Sequence, residues 1–181
     1  MSKPCRYSIE IEASGKWTEY CHAIYSLKDD KRRDWEYIRR KDEISTVAIF
    51  AYFDTKDRFL LIKQYRPSLD KWTIEFPAGL VGKEETIEAG ALRELFEETG
   101  YSGKIEKITP QLCNTPGLSD ETVQLVYVKV FEGKREKQCL EEEELIEVIE
   151  LDKKDVTSFI ESSIKSGYII DAKVWAFLTS I

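Results

Sequence analysis

Apolar positions along this chain change period several times, and each change marks an element. The runs KWTEYCHAIYSL (16–27) and DWEYIRRK (34–41) are β-prone and flank the polar KDDKRR, which predicts a hairpin. STVAIFAYF (45–53) and RFLLIKQYR (58–66) form a second pair about DTKD. The first of these is so continuously apolar that it predicts a strand covered on both faces. WTIEF (72–76) predicts a short strand ending at Pro77. Helical spacing takes over from about residue 86 to 99, with Gly100 as the stop. KIEKITPQLC (104–113), TVQLVYVKVF (122–131) and LIEVIEL (145–151) return to strand character. Between them lie the turn-rich NTPGLSDE (114–121) and a charged loop (132–144), and amphipathic helices over 155–166 and 171–180 close the chain. This order predicts an α/β fold, an α/β/α sandwich with a mixed sheet over residues 43–181, preceded by a β-hairpin region over 1–42.

Composition narrows the function by exclusion. A formal net charge of −7 argues against a sequence-independent nucleic-acid binder and against an anionic membrane surface. It leaves room for a phosphorylated small molecule, because a bound cation reverses the local charge. The opening MSKPCRYSIEIE has no apolar h-region, and no apolar run approaches spanning length. Cys5, Cys21, Cys113 and Cys139 form no C-x-x-C and read as free thiols of a reducing compartment, cytoplasmic or nuclear. His22 is the only histidine, which removes a His-based triad or a His-rich zinc site.

The chemistry concentrates in RELFEETG (93–100). On a helical wheel Ala89, Ala91, Leu92, Leu95 and Phe96 share one broad arc, while Glu94, Glu97 and Glu98 occupy another with Gly90 among them. Like charges at i,i+4 destabilise a helix by roughly 0.2–0.5 kcal/mol per pair. A solvated acidic face is the plain explanation. A hard divalent cation, Mg²⁺ or Mn²⁺, completed by substrate phosphates is the functional one. Gly90 costs about 1 kcal/mol against Ala in a helix interior, and room beside the carboxylates is its expected reason.

The flanks favour the cation. Gly79, five residues, Glu85, seven residues, Arg93-Glu94-Leu95, Glu97-Glu98 and Gly100-Tyr101 resemble the Nudix box G-x5-E-x7-R-E-U-x-E-E-x-G-U, where U is a bulky aliphatic. Tyr101 is the one departure, at a packing position. The resemblance implies a Nudix-type fold. It also implies metal ligation by Glu94, Glu97, Glu98 and the Ala78 carbonyl, and a bracing ion pair between Glu85 and Arg93, with Arg93 also in reach of Glu97. The family hydrolyses nucleoside diphosphates linked to another moiety.

QYRP (64–67), EFPAGL (75–80) and Pro116, fifteen residues past Tyr101, resemble the ADP-ribose/ADP-sugar pyrophosphatase branch. That branch implies adenine stacking between Trp17 and Trp35, one of them from the partner in a homodimer. Glu36 would accept from the adenine amino group, and Arg40 and Arg66 would approach the phosphates or terminal ribose. Leu80 and Glu121 would be substrate contacts. A further carboxylate before LIEV is expected to serve as base; alignment on ELIEV selects Glu144 within the run Glu141 to Glu144, a run that otherwise reads as solvated. The expected reaction is Mg²⁺-dependent hydrolysis of ADP-ribose, with Glu144, Glu98 and Glu94 catalytic. The alternatives are a dinucleoside polyphosphate, another sugar nucleotide or an oxidised nucleotide as substrate, or a non-catalytic ADP-ribose sensor.

Overall fold

A computed structural model of the chain describes residues 3–29, 31–53 except 44, 57–133 and 135–181. Its strands are β1 (Cys5–Ser14), β2 (Thr18–Ser26), β3 (Arg32–Arg40), β4 (Ser45–Tyr52), β5 (Arg58–Arg66), β6 (Lys71–Glu75), β7 (Ala78–Val81), β8 (Gly103–Ile108), β9 (Leu112–Cys113), β10 (Thr122–Val130), β11 (Ile146–Asp152) and β12 (Ile169–Ile170). The helices are α1 (Ile87–Thr99), α2 (Val156–Lys165) and α3 (Ala172–Leu178). Two compact units result, Met1–Thr46 with Gln111–Val123, and Val47–Pro110 with Gln124–Ile181.

In the first unit β2 and β3 form the expected hairpin, with Ala23 opposite Trp35 and His22 opposite Glu36. Residue 30 of its turn, and residues 54–56 of the DTKD turn, lie outside the described residues. The sequence reading lacked β1, which pairs antiparallel with β2 and extends the hairpin to a three-stranded sheet. Most of β1 is exposed, so it carries little apolar alternation; Ile9 alone packs on the small cluster of Cys21, Ala23 and Tyr37.

In the second unit the strand order is β12-β6-β5-β4-β10-β8, with β11 on β5 and β7 on β4. β12 joins β6 in parallel, whereas β5 pairs antiparallel with β4, β6 and β11, so the sheet is mixed. Val47, Ile49, Ala51 and Leu60 face Ala91 and Leu95 of α1 on one side. Phe50 and Phe59 meet Phe177 of α3 with ring centroids 4.4 and 4.9 Å apart on the other. The strict alternation along β4 therefore buries both faces, which explains its apolar run and makes the expected α/β/α sandwich.

α1 starts where Thr86 accepts a hydrogen bond from the Ala89 N–H at 3.2 Å and stops at Gly100, left-handed at φ 72°. A Cβ on Gly100 would lie 2.1 Å from the Glu136 carbonyl oxygen, so glycine is required there twice over. Tyr101 packs edge-on to Phe53 at 5.5 Å and donates its hydroxyl to Glu150 at 2.6 Å. It is thus a core residue with a satisfied polar end. All four cysteines are free thiols.

Candidate active site

Arg93 organises the acidic face of α1. Its guanidinium donates to Glu85 at 3.0 and 2.9 Å, to Glu94 at 2.9 Å, to Glu97 at 2.8 Å and to the Leu80 carbonyl at 2.9 Å. One planar fork thus offsets the repulsion between carboxylates that share a helical turn. Its hydrogen bonds hold the Glu85 carboxyl below its usual range, while burial outweighs Arg93 and raises that of Glu94. Leu80 itself is exposed on β7, with only its carbonyl engaged by Arg93.

Glu98 lies inside the fold, 2% exposed, with Oε2 accepting the Ala78 N–H at 2.9 Å. Burial pushes its carboxyl up to about 9, with Glu94 and Glu144 adding to the shift. The wheel put Glu98 on an open acidic face; the fold buries it beside Thr99 and leaves Ala89 exposed. Gly79 passes directly over Glu94, since a Cβ there would stand 2.1 Å from the carboxyl carbon. Gly90 has a different reason from the one expected. A Cβ on it would meet the Val81 side chain at 2.9 Å and Glu85 Oε2 at 3.2 Å, so the space serves packing of β7 and the Glu85 brace.

The charged loop after β10 contributes something the sequence reading missed. It occupies the free carbonyls at the end of α1: the Cys139 N–H reaches Glu97 O at 2.9 Å, Arg135 reaches Thr99 O at 2.9 Å, and Gln138 donates to Glu98 O. Those carbonyls have no intrahelical partner, so the loop fixes the end of the helix that carries Glu97 and Glu98. Within the same loop Glu141, Glu142 and Glu143 are exposed, whereas Glu144 is half-buried. The charge of Glu144 raises both Glu94 and Glu98, which separates it from its three neighbours. Its Oε2 accepts the Glu141 N–H at 3.0 Å. Arg66 is held in a two-point fork by Glu75, at 2.8 and 2.6 Å, with Thr73 also donating to Glu75. Glu75 carried no sequence signal as a partner; the link arises because β5 and β6 pair.

The first unit holds the other candidates. Trp17 is 65% and Trp35 50% exposed, unusual for indoles. Trp35 and Glu36 are successive strand residues and leave β3 on opposite faces. Glu36 lies 3.9 Å from His22, while Trp35 lines a 440 Å³ cavity with Ala23, Tyr25 and Tyr37. Arg40 is bound to Glu121 at 2.7 Å, so two residues singled out separately form one ion pair.

The donor set at α1 suits a hard cation: buried or half-buried carboxylate oxygens and no sulfur or imidazole. Among the described residues no three such side chains are already drawn together at ligand spacing. The reason is local, because Arg93 holds Glu94 and Glu97 and Ala78 holds Glu98.

Residues 43–165 match the NUDIX domain model. The chain belongs to the Nudix family. Over 182 residues this Nudix chain is 34% identical to the ADP-sugar pyrophosphatase of Mus musculus, covering 94% of itself and 84% of that protein. Over 174 residues it is 37% identical to the ADP-ribose pyrophosphatase of Saccharomyces cerevisiae, covering 88% of itself and 74% of the relative. The crystal structure of an ADP compounds hydrolase superposes with a TM-score of 0.70 at 21% identity, covering 89% of this chain and 84% of that one, and so shares its fold. Nudix hydrolases in general use divalent metal ions, which agrees with the oxygen-rich donors of α1. No described helix is long and apolar enough to cross a membrane.

Proposed function

We propose that this Nudix protein hydrolyses the diphosphate of ADP-ribose, and of other ADP-sugars, to AMP and the sugar phosphate. The observation that carries the chemistry is the end of α1, where Glu98 is 2% exposed and burial raises its carboxyl to about 9, with Glu94 and Glu144 adding to the shift. A divalent cation, Mg²⁺ or Mn²⁺, would be held by Glu94, Glu97, Glu98 and the Ala78 carbonyl. When bound, it neutralises the phosphoryl oxygens and makes water easier to deprotonate. The names of the mouse and yeast relatives support the substrate class.

The chain's own groups account for the rest. Glu144 takes the proton of the attacking water, whose oxygen adds to one phosphorus as the bond to the bridging oxygen breaks. Arg66, preset by Glu75, meets the diphosphate as a fork. Arg93 and Glu85 brace the acidic face. The 1–42 region supplies Trp17, Trp35, Glu36 and Arg40 to adenine and phosphate, and Glu121 gives up Arg40 when substrate arrives. Because Trp35 and Glu36 project from opposite sheet faces, a homodimer in which each copy offers one face to a base is the supported assembly. Free thiols support a cytoplasmic location, checked by cell fractionation.

The decisive experiment measures kcat/KM for AMP release from ADP-ribose, ADP-glucose, a dinucleoside polyphosphate and an oxidised nucleoside diphosphate, with Mg²⁺ and with chelator. ADP-sugars are expected to lead and chelator to stop turnover. A higher value for another class would overturn the substrate reading, and tight binding without product would make the protein a sensor. Light scattering on the active enzyme should give twice the chain mass; an active monomer ends the shared-base arrangement. Glu144→Gln should lower kcat by about 10²–10⁴-fold with KM little changed, and Glu143→Gln should leave both near wild type. The reverse pattern would move the base by one residue.

A further inference from the structure

Among the described residues two buried polar side-chain atoms lack a partner, the Tyr37 hydroxyl and Gln64 Oε1. Tyr37 is 6% exposed, and its ring belongs to the small core of the first unit with Cys21 and Ala23. The ring is therefore structural, while the hydroxyl has no structural task. Leaving such a group unpaired is unfavourable, and a bound ligand removes that cost. Burial raises the Tyr37 pKa, so the hydroxyl stays protonated and can donate or accept.

The Tyr37 side chain lines a cavity of the size that takes a flat heterocycle. Its 440 Å³ falls within the usual range for small-molecule pockets. Trp35 stands two residues before Tyr37 on β3, so both leave the same face of the sheet. Opposite Trp35 sits Ala23, whose single methyl leaves the space over the indole open. Tyr25 and Pro116 supply apolar walls, and Ser119 and Asp120 supply polar groups at the rim. Arg6 also lines the cavity and makes no ion pair among the described residues. A half-exposed indole, an unpaired buried hydroxyl and a carboxylate around one volume match a purine, which offers a face to stack and ring nitrogens and an amino group to bond.

We propose that the Tyr37 hydroxyl is a specificity-determining contact to the base, hydrogen-bonded to the edge of a purine stacked on Trp35. The assignment rests on the nucleotide reading above. It makes Tyr37 a selector of purine over pyrimidine nucleotides, because the shorter edge of a pyrimidine stacked on the same indole leaves the hydroxyl unpaired.

Tyr37→Phe removes the hydroxyl and keeps the packed ring. For ADP-ribose, KM is expected to rise about 5- to 30-fold with kcat within about twofold. The ratio of kcat/KM for ADP-ribose over CDP-ribose should fall by the same factor, and the melting temperature should hold or rise. An unchanged KM and ratio would show a hydroxyl that binds only water, and equal losses on both substrates would show a general packing defect; either overturns the proposal. Calorimetric titration of AMP into wild type and Tyr37→Phe, both purified intact, separates the two readings. If wild type turns over no ADP-sugar yet AMP binding weakens in the variant, the reaction fails and the base contact stands. Equal AMP affinity in the two, or none in either, removes the contact.

Discussion

Glu98→Gln is expected to lower kcat for AMP release by on the order of 10²–10³-fold, while making the metal-free protein more stable at alkaline pH. The two effects have one cause. Glu98 is a carboxylate donor whose carboxyl is raised by burial from 4.5 to about 9. Between those values the folded protein retains a proton that the unfolded chain has released. The folded state binds more protons there, so stability falls as pH rises across that window. Gln is neutral throughout, and its amide oxygen can still accept the Ala78 N–H. At pH 9 the variant should therefore melt above the wild type, and the gap should shrink towards pH 5. Thermal unfolding with chelator at both pH values measures this. A variant that melts no higher than wild type at pH 9 would show that Glu98 is not held neutral by the fold.

Gly79→Ala should separate activity from stability in the other direction. The new methyl would stand 2.1–2.4 Å from the Glu94 carboxyl atoms, a contact that cannot persist. The obstructing atoms are the far end of a flexible side chain, so Glu94 swings away and the strand is kept. Stability should change by less than about 1 kcal/mol, as for substitutions that disturb no packed core. Displacing a reactive carboxylate by about 1 Å costs on the order of 10²-fold in rate, and the Mg²⁺ concentration for half-maximal activity should rise with it. AMP release across a Mg²⁺ series, alongside a melting curve, checks both. Activity within threefold of wild type would mean that Glu94 does not need its position under β7.

The two substitutions mark where one-dimensional reading ends. The spacing from Gly79 to Tyr101 names the family because it is a local pattern on one loop and one helix, visible without knowing what surrounds it. The β4 run, the stop at Gly100 and the terminal helices were legible for the same reason, since apolar period and left-handed glycine act over a few residues. β1 was not legible, because an exposed strand paired on one edge has almost no apolar face to reveal it. Glu75 was equally silent, since its partner Arg66 lies nine residues away across a strand pairing.

The sequence by itself determined the carboxylate set, the helix that bears it and the reaction class these imply. The carboxylate set and its helix follow from which residues stand three and four apart; the reaction class follows from the resemblance of the whole stretch from Gly79 to Tyr101 to the Nudix box. Only the tertiary structure decided that Glu98 is buried and Glu94 roofed by Gly79, that Arg93 binds Glu94 as well as Glu85 and Glu97, and that residues 135–139 fasten the helix end. It alone left the buried Tyr37 hydroxyl unpaired, on a residue that lines a cavity with Trp35. Burial and pairing depend on distances through space between segments remote in the chain, and these set the protonation and the selectivity that a list of residue types leaves open.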